Sequence, residues 1–246
     1  MVVKRALVLF FAAATAAWML RERSATSPSS APKAARATPV TSADLPRAMH
    51  VPRVAAPLVL DGELTEPAWH ATPVERFLRP DGSDGRPYSE VRFLWSADGY
   101  LHVGLYASDR NIVSAGVGAD GPVWRGDSFH LVFSREGVEH SFDFGPAARG
   151  VVLTDGERHG SGAWDYSWQS GARVALDMDE GTVDRPSETD EEWVLEIEIP
   201  LASLGLSPSP GAQIDALARR CDLDARGGRP LESPCPEAKL ALTFDP

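Results

Sequence analysis

The stretch SFHLVFSREGVEHSFDFG, residues 128–145, decides the fold because it holds two alternating strands and the turn that joins them. Pairing Leu131 with Phe142 places Phe129 opposite Phe144 and brings all four apolar side chains to one face. A slip of one residue would send this set to the other face, so the pattern specifies the register. The turn then falls on the letters REGV. We predict a β-hairpin with one buried face.

The other face of this hairpin carries polar groups. The same register places His130 opposite Asp143 and Ser128 opposite Gly145, with Trp124 just ahead of the first strand. An aromatic plane beside convergent polar side chains suits a sugar, whose C–H face stacks on the ring. Two other interpretations stay open: an ordinary cross-strand contact worth about 0.2–1 kcal/mol, and a tryptophan that plugs the sandwich edge.

Short strands separated by turn residues continue along the chain, and no segment has the pattern of a long amphipathic helix. About ten such strands predict an all-β fold, a jelly-roll-like antiparallel β-sandwich over residues 51–246. The other predicted strands are 89–95, 100–108, 150–154, 172–177, 192–200, 213–221 and 239–244.

The N-terminus predicts export. Two basic residues precede an apolar run over residues 6–20, which is short for a membrane span and typical of a signal-peptide core. We expect residues 1–23 to be a signal peptide or an uncleaved membrane anchor, which would be the only membrane contact. Residues 24–50, rich in Pro, Ala and Ser, predict a disordered linker. The protein is then periplasmic, extracellular or held on the outer side of a membrane.

Charge narrows the classes of ligand. Eight basic and two acidic side chains give the first 53 residues a net charge of +6. The whole chain has a net charge of −11, so the remaining residues carry −17. Such an acidic domain repels nucleic acid and anionic lipid and is compatible with neutral sugars. The turn DMDE at 177–180 is compatible with structural calcium and equally with a solvated loop.

The two cysteines, Cys221 and Cys235, fall in the exported part, where a disulfide is expected. Two free thiols or half of a metal site are the alternatives. Glu196 and Glu198 share a strand face, where we expect them to be solvated rather than catalytic. The sequence contains no Ser-His-Asp motif, phosphate loop or metal signature. We therefore predict a protein without catalytic activity of its own.

Four segments in order carry a family resemblance. They are LDGELTEPAW (60–69), SEVRFLWSADGYLHVGLYASD (89–109), VWRGDSFHLVF (123–133) and EEWVLEIEIPLASLG (191–205). Together they resemble the xylanase-associated family 9 carbohydrate-binding modules, which have a DOMON-like β-sandwich. The resemblance implies a non-catalytic domain that binds xylan, cellulose or soluble sugars, often at chain ends. It also implies association with glycoside hydrolases and, in many members, stabilisation by calcium.

The resemblance also implies site residues, and here the chain departs from the family. Trp124 matches one wall of an aromatic sugar clamp. The position of an acidic sugar ligand is His130, that of a basic one is Asp143, and that of an amide is Gly145. The region expected to supply the second tryptophan, 221–235, has no aromatic residue. Another wall is then expected from Trp164 or Trp168.

Two other functions compete with sugar binding. The lost tryptophan favours a cell-surface structural or protein-interaction module on the same fold. A haem-binding redox domain of related fold would use Met178 with His102 or His130, although no pairing is evident in the sequence. The tryptophans at 69, 95 and 193 are interpreted as structural.

Overall fold

The computed structural model describes residues 45–179, 181–185, 191–223 and 229–246. They form two β-sheets and one short α-helix, α1 (Pro67–Ala71). None of the helices in these ranges is long and apolar enough to cross a membrane. The predicted signal peptide or anchor and most of the predicted linker lie outside the described residues.

Twelve strands build the two sheets. The first sheet has the order β1-β12-β11-β6-β7-β8, and the second has the order β2-β4-β5-β10-β9 with β3 beside β4. The strands are β1 (Arg47–Val51), β2 (Arg53–Val54), β3 (Glu75–Arg76), β4 (Ser89–Ser96), β5 (Tyr100–Ser108), β6 (Ser128–Arg135), β7 (Val138–Ala147), β8 (Gly150–His159), β9 (Arg173–Asp177), β10 (Glu192–Pro200), β11 (Gln213–Cys221) and β12 (Glu237–Phe244).

The central hairpin β6–β7 has the register that the sequence predicts. Phe129 pairs with Phe144, and Leu131 pairs with Phe142. The turn residues Glu136 and Gly137 both have positive φ, 53° and 83°, which is the backbone of the two-residue turns that match strand twist. The hydrophobic pattern was therefore sufficient to define this element.

The core lies between the sheets and joins aromatic side chains from both. Phe133 of β6 meets Phe93 of β4 edge to face at 6.3 Å, and Phe129 of β6 lies 4.9 Å from Trp193 of β10. Burying such rings supplies most of the stabilisation of a β-sandwich. The prediction that Trp193 and the tryptophans at 69 and 95 are structural is confirmed, because all three are buried.

At the N-terminal edge the structure differs from the sequence prediction in two ways, in where the domain begins and in the direction of the strands. Strand β1 begins at Arg47, so the domain begins inside the predicted linker of residues 24–50. The reason is that Met49 and Val51 alternate as buried side chains against the core. Strand β1 also pairs parallel to β12, and β2 pairs parallel to β4, so the sheets are mixed rather than antiparallel throughout.

On the outer face of the second sheet, two glutamates that were expected to be solvated are buried. Glu196 is not solvated but 1% exposed, and Glu198 is also buried. The indole Nε1 of Trp69 donates to Glu196 at 3.2 Å, and the amide of Asp61 donates to it at 3.1 Å. The segment that carries Trp69 and Asp61 therefore covers part of this face.

Cys221 at the end of β11 forms a disulfide with Cys235, which precedes β12. The predicted pairing is confirmed. The bridge closes the loop that replaces the expected second tryptophan, and it fixes both ends of that loop to adjacent strands of the first sheet.

Candidate functional site

A row of polar side chains crosses the outer face of the first sheet. Arg219 of β11 lies opposite His130 of β6, His130 lies opposite Asp143 of β7, and Asp143 lies opposite Thr154 of β8. Nδ1 of His130 is 2.6 Å from Oδ1 of Asp143, as the predicted register requires. We call these four residues the polar row. The side chain of His130 is 28% exposed, so the row is accessible from solvent there.

A second row on the same face is flatter and less polar. It consists of Leu217, Val132, Ser141 and Gly156, again in register across β11, β6, β7 and β8. We call it the flat row. The hydroxyl of Ser141 is buried and makes no hydrogen bond with the described residues. Because Gly156 has no side chain, the surface above β8 is open to a group from another segment.

The 3₁₀ helix Val123–Arg125 lies on this face at the other side of the polar row. The Thr154 hydroxyl donates to the Gly121 carbonyl at 2.6 Å. A Cβ on Gly145 would come within 3.3 Å of Val123 Cβ, so the glycine admits the 3₁₀ helix against the sheet. Gly145 is therefore a packing position and not an open gap in a binding site.

Trp124 in this 3₁₀ helix is exposed, with 52% of its surface open to solvent. Its neighbour Val123 is buried and anchors the turn. Ser128, the other residue predicted beside it, is only 4% exposed, so its hydroxyl is not presented to a ligand on this surface. The structure therefore brings Trp124, His130 and Asp143 to one face and withdraws Ser128 from solvent.

The tryptophans suggested as a second wall have other positions. Trp164 covers the guanidinium of Arg158 at 4.5 Å, beyond the flat row at the end of β8. Trp168 packs against the core, with its ring centroid 6.0 Å from that of Phe142. Tyr166, which the sequence pattern did not single out, lies against Gly156 of the flat row. The only signal for it was an aromatic residue in a turn near Gly156.

A buried charged cluster lies behind the 3₁₀ helix. Nη2 of Arg220 is 2.6 Å from Asp109 and 3.7 Å from Asp222. Both carboxylate oxygens of Asp127 accept backbone amides, from Val113 at 2.6 Å and from Leu223 at 2.7 Å. The cluster ties the loops before and after Trp124 to the end of β11.

Burial governs the protonation of this cluster. Removal from water raises the pKa of Asp127 to about 7, against the lowering effect of Arg220. It raises the pKa of Asp222 to about 7 in the same way. On the second sheet, burial likewise raises the pKa of Glu196 to about 7. Three carboxyl groups thus change charge near neutral pH.

The three aspartates of the cluster could be taken for a metal site. The arrangement does not fit calcium, which takes six to eight oxygen ligands. Arg220 already supplies the positive charge, and both oxygens of Asp127 are committed to backbone amides. Calcium at the 177–180 turn stays a prediction, because residue 180 lies outside the described residues.

These pKa shifts predict a pH dependence of stability. Between pH 6 and pH 8 the folded state holds protons on Asp127, Asp222 and Glu196 that an unfolded chain would have released. Stability therefore falls as pH rises through the folded pKa values. Burial lowers the pKa of His102 to about 4. This shift makes the folded state more stable as pH rises, but only below the pKa of histidine in an unfolded chain. We expect the free energy of unfolding to fall by about 2–3 kcal/mol from pH 6 to pH 8. Urea unfolding followed by tryptophan fluorescence measures it, and a rise over this range would contradict the assignment.

The three residues considered as haem ligands lie on different parts of the fold. His130 lies on the outer face of the first sheet, and His102 lies on that of the second, where its Nε2 is 3.0 Å from the Ser96 hydroxyl. Met178 packs against the core. The geometry gives no axial pair among these three residues.

Comparison with known proteins supports the fold. The chain matches no protein-family model and no curated protein. A candidate carbohydrate-binding protein from Bacteroides uniformis ATCC 8492 aligns with a TM-score of 0.60 and 14% identity, over 81% of this chain and 99% of that one.

Two further structures are of a family 9 carbohydrate-binding module from Caldicellulosiruptor kristjanssonii. The complex with cellotriose aligns with a TM-score of 0.54 and 12% identity, over 81% of this chain and 94% of that one. The complex with glucose aligns with a TM-score of 0.54 and 11% identity, over 80% of this chain and 95% of that one. At these identities the likeness establishes the fold alone, and the resemblance to family 9 carbohydrate-binding modules is confirmed at that level.

Proposed function

We propose that this chain is an exported, non-catalytic carbohydrate-binding module that holds a poly- or oligosaccharide on the outer face of the first sheet. The single observation that carries the proposal is the exposed side chain of Trp124, whose 3₁₀ helix packs on the same face as the His130–Asp143 pair. Large exposed aromatics beside fixed polar groups are characteristic of recognition surfaces. The C. kristjanssonii module of like fold is bound to glucose and to cellotriose.

The biological setting follows from the sequence features. Export through residues 1–23 would bring the domain to plant-type polysaccharides outside the cell. A glycoside hydrolase is the partner that we propose for it, with the module supplying attachment and the enzyme supplying catalysis. The swap of acidic and basic positions at His130 and Asp143 favours a ligand whose hydroxyl pattern differs from that of the usual family ligands.

The test is a glycan-binding screen of the purified domain with and without calcium, in parallel with Trp124→Ala. We expect binding to at least one plant-type glycan and a loss of about tenfold or more in the variant, because a stacking ring is removed. Trp69 is not a suitable control because it is buried, so Tyr88→Ala on another surface serves as the matched variant. Equal binding by wild type and Trp124→Ala on every glycan would contradict the proposal.

The competing assignment is a structural or protein-interaction module. It shares the fold and is favoured by the absence of an aromatic residue in the 221–235 loop. The same screen separates the two, because an interaction module would bind none of the glycans.

A further inference from the structure

We propose that His140, Glu157 and His159 form a binding site for a zinc ion on the inner face of the β7–β8 hairpin. The site uses no residue of the polar row or of the flat row, so it lies outside the surface that we propose for sugar. The inference therefore goes beyond the proposed function and does not depend on it.

The strand register brings the three side chains together. His140 of β7 lies directly opposite Glu157 of β8. Ser141, the next residue of β7, belongs to the flat row on the outer face, so His140 points to the inner face. Glu157 and His159 are two residues apart on β8 and therefore project to the same side of the sheet. Two imidazoles and one carboxylate thus share one end of the hairpin.

The distances within this cluster are close to those of a metal site. Nδ1 of His140 is 3.6 Å from Oε2 of Glu157, and Nε2 of His159 is 2.8 Å from Oε1. Ligand atoms bound to a tetrahedral zinc ion at about 2.0–2.1 Å lie about 3.3 Å from one another. The two rings contact different oxygens of the carboxylate, so His159 has to turn toward His140 to share an ion. Its side chain is 70% exposed, which leaves room for this rotation.

Nδ1 of His140 is the atom that points to a ligand. The His140 side chain is only 7% exposed, and its Nδ1 makes no hydrogen bond with the described residues. A buried polar atom without a partner is energetically unfavourable, and coordination to a metal ion removes that cost by using the Nδ1 lone pair. Nδ1 faces the carboxylate of Glu157, whose side chain is 25% exposed, so an ion can reach the cluster from solvent.

Packing holds two of the three side chains in place. The Trp168 ring lies against His140 with the ring centroids 4.8 Å apart, and Trp168 is itself packed against the core. Glu157 is fixed through its backbone, which forms two hydrogen bonds with Asp165, of 3.1 and 2.8 Å. Only His159 has to move when an ion binds, which keeps the entropic cost of binding low.

The donor set selects the class of ion. Two imidazole nitrogens and one carboxylate are ligands that zinc takes in proteins, with a water molecule in the fourth position. Calcium and magnesium prefer oxygen ligands alone, so this site differs in chemistry from the calcium site considered at 177–180. The net negative charge of the domain also attracts cations. A bound ion would tie β8, the edge strand of the first sheet, to β7 and stabilise the hairpin.

The test is isothermal titration calorimetry of zinc chloride into the purified, untagged protein after treatment with EDTA. For wild type we expect one ion per chain with a Kd of about 10 µM or lower. We also expect Tm to rise by about 5 °C when free zinc is about a hundredfold above Kd. His159→Ala removes an exposed ligand without disturbing the core, and Glu157→Gln removes the negative charge at nearly constant shape. Each is expected to weaken zinc binding about tenfold or more.

His50→Ala is the matched control, because His50 is another exposed histidine of the first sheet with Nδ1 2.8 Å from a carboxylate, that of Asp245. We expect it to bind zinc like wild type, and circular dichroism verifies that each variant folds. Wild-type affinity in both His159→Ala and Glu157→Gln overturns the site, as does an equal loss in His50→Ala or a wild type that does not bind zinc. Displacement of zinc by an equal concentration of calcium overturns the choice of ion. The glycan screen is a separate measurement, so the proposed function stands or falls independently of these results.

Discussion

Replacing Arg220 with methionine is expected to lower the free energy of unfolding by about 3–5 kcal/mol at pH 7. The guanidinium lies between Phe129 and Trp193, 5.6 and 5.1 Å from their ring centroids, and is the cation among three buried aspartates. Methionine keeps much of the apolar volume but leaves Asp109 and its neighbours without a counter-charge. Guanidinium unfolding followed by tryptophan fluorescence gives the value.

The matched control is Arg219→Met, one residue away on the same strand. Arg219 faces outward and pairs with Glu237 at 2.7 Å, so its loss should cost less than about 1 kcal/mol. The deficit of Arg220→Met should also shrink toward pH 5, because protonated carboxyl groups no longer need the cation. Equal stability of the two variants, or a deficit independent of pH, would contradict the role given to the cluster.

Trp193→Ala is expected to cost about 3–5 kcal/mol, the usual result of removing a large buried ring. The side chain is 0% exposed and contacts Phe129 at 4.9 Å. Its Nε1 also donates to Asp109 at 3.3 Å, so the alanine leaves a cavity and removes one of the hydrogen bonds that this carboxylate accepts. For a domain of this size the loss corresponds to a fall of roughly 10 °C in Tm.

Trp124→Ala is the control for this prediction, since it removes the same side chain from an exposed position. We expect its stability to lie within about 0.5 kcal/mol of wild type. A comparable loss of Tm in both variants would show that Trp124 is part of the core and would remove it from the candidate site.

The sequence predicted the parts of the fold that repeat a simple period. The β6–β7 register followed from four apolar side chains at alternate positions, because only one pairing buries all of them. Strand β1 was missed because RAMHV has one alternation and follows a polar linker. Its assignment depends on β12, almost 200 residues away, and not on local pattern.

The candidate site was predicted only in part, for a related reason. Trp124, His130 and Asp143 are close in sequence, and the contact between His130 and Asp143 follows from one hairpin. Arg220 and Asp109 are 111 residues apart, and charged residues are ordinarily interpreted as surface. Tyr166 depends on an edge bridge and on Gly156, neither of which leaves a periodic signal.

Sugar binding on the outer face of the first sheet can be located by an NMR titration of the ¹⁵N-labelled domain with the tightest-binding glycan from the screen. We expect shift changes at the indole of Trp124 and at the amides of His130 and Asp143, on the outer face of the first sheet. The indoles of Trp69 and Trp193 should stay unchanged. Shift changes confined to the second sheet, with Trp124 and His130 unaffected, would contradict this location.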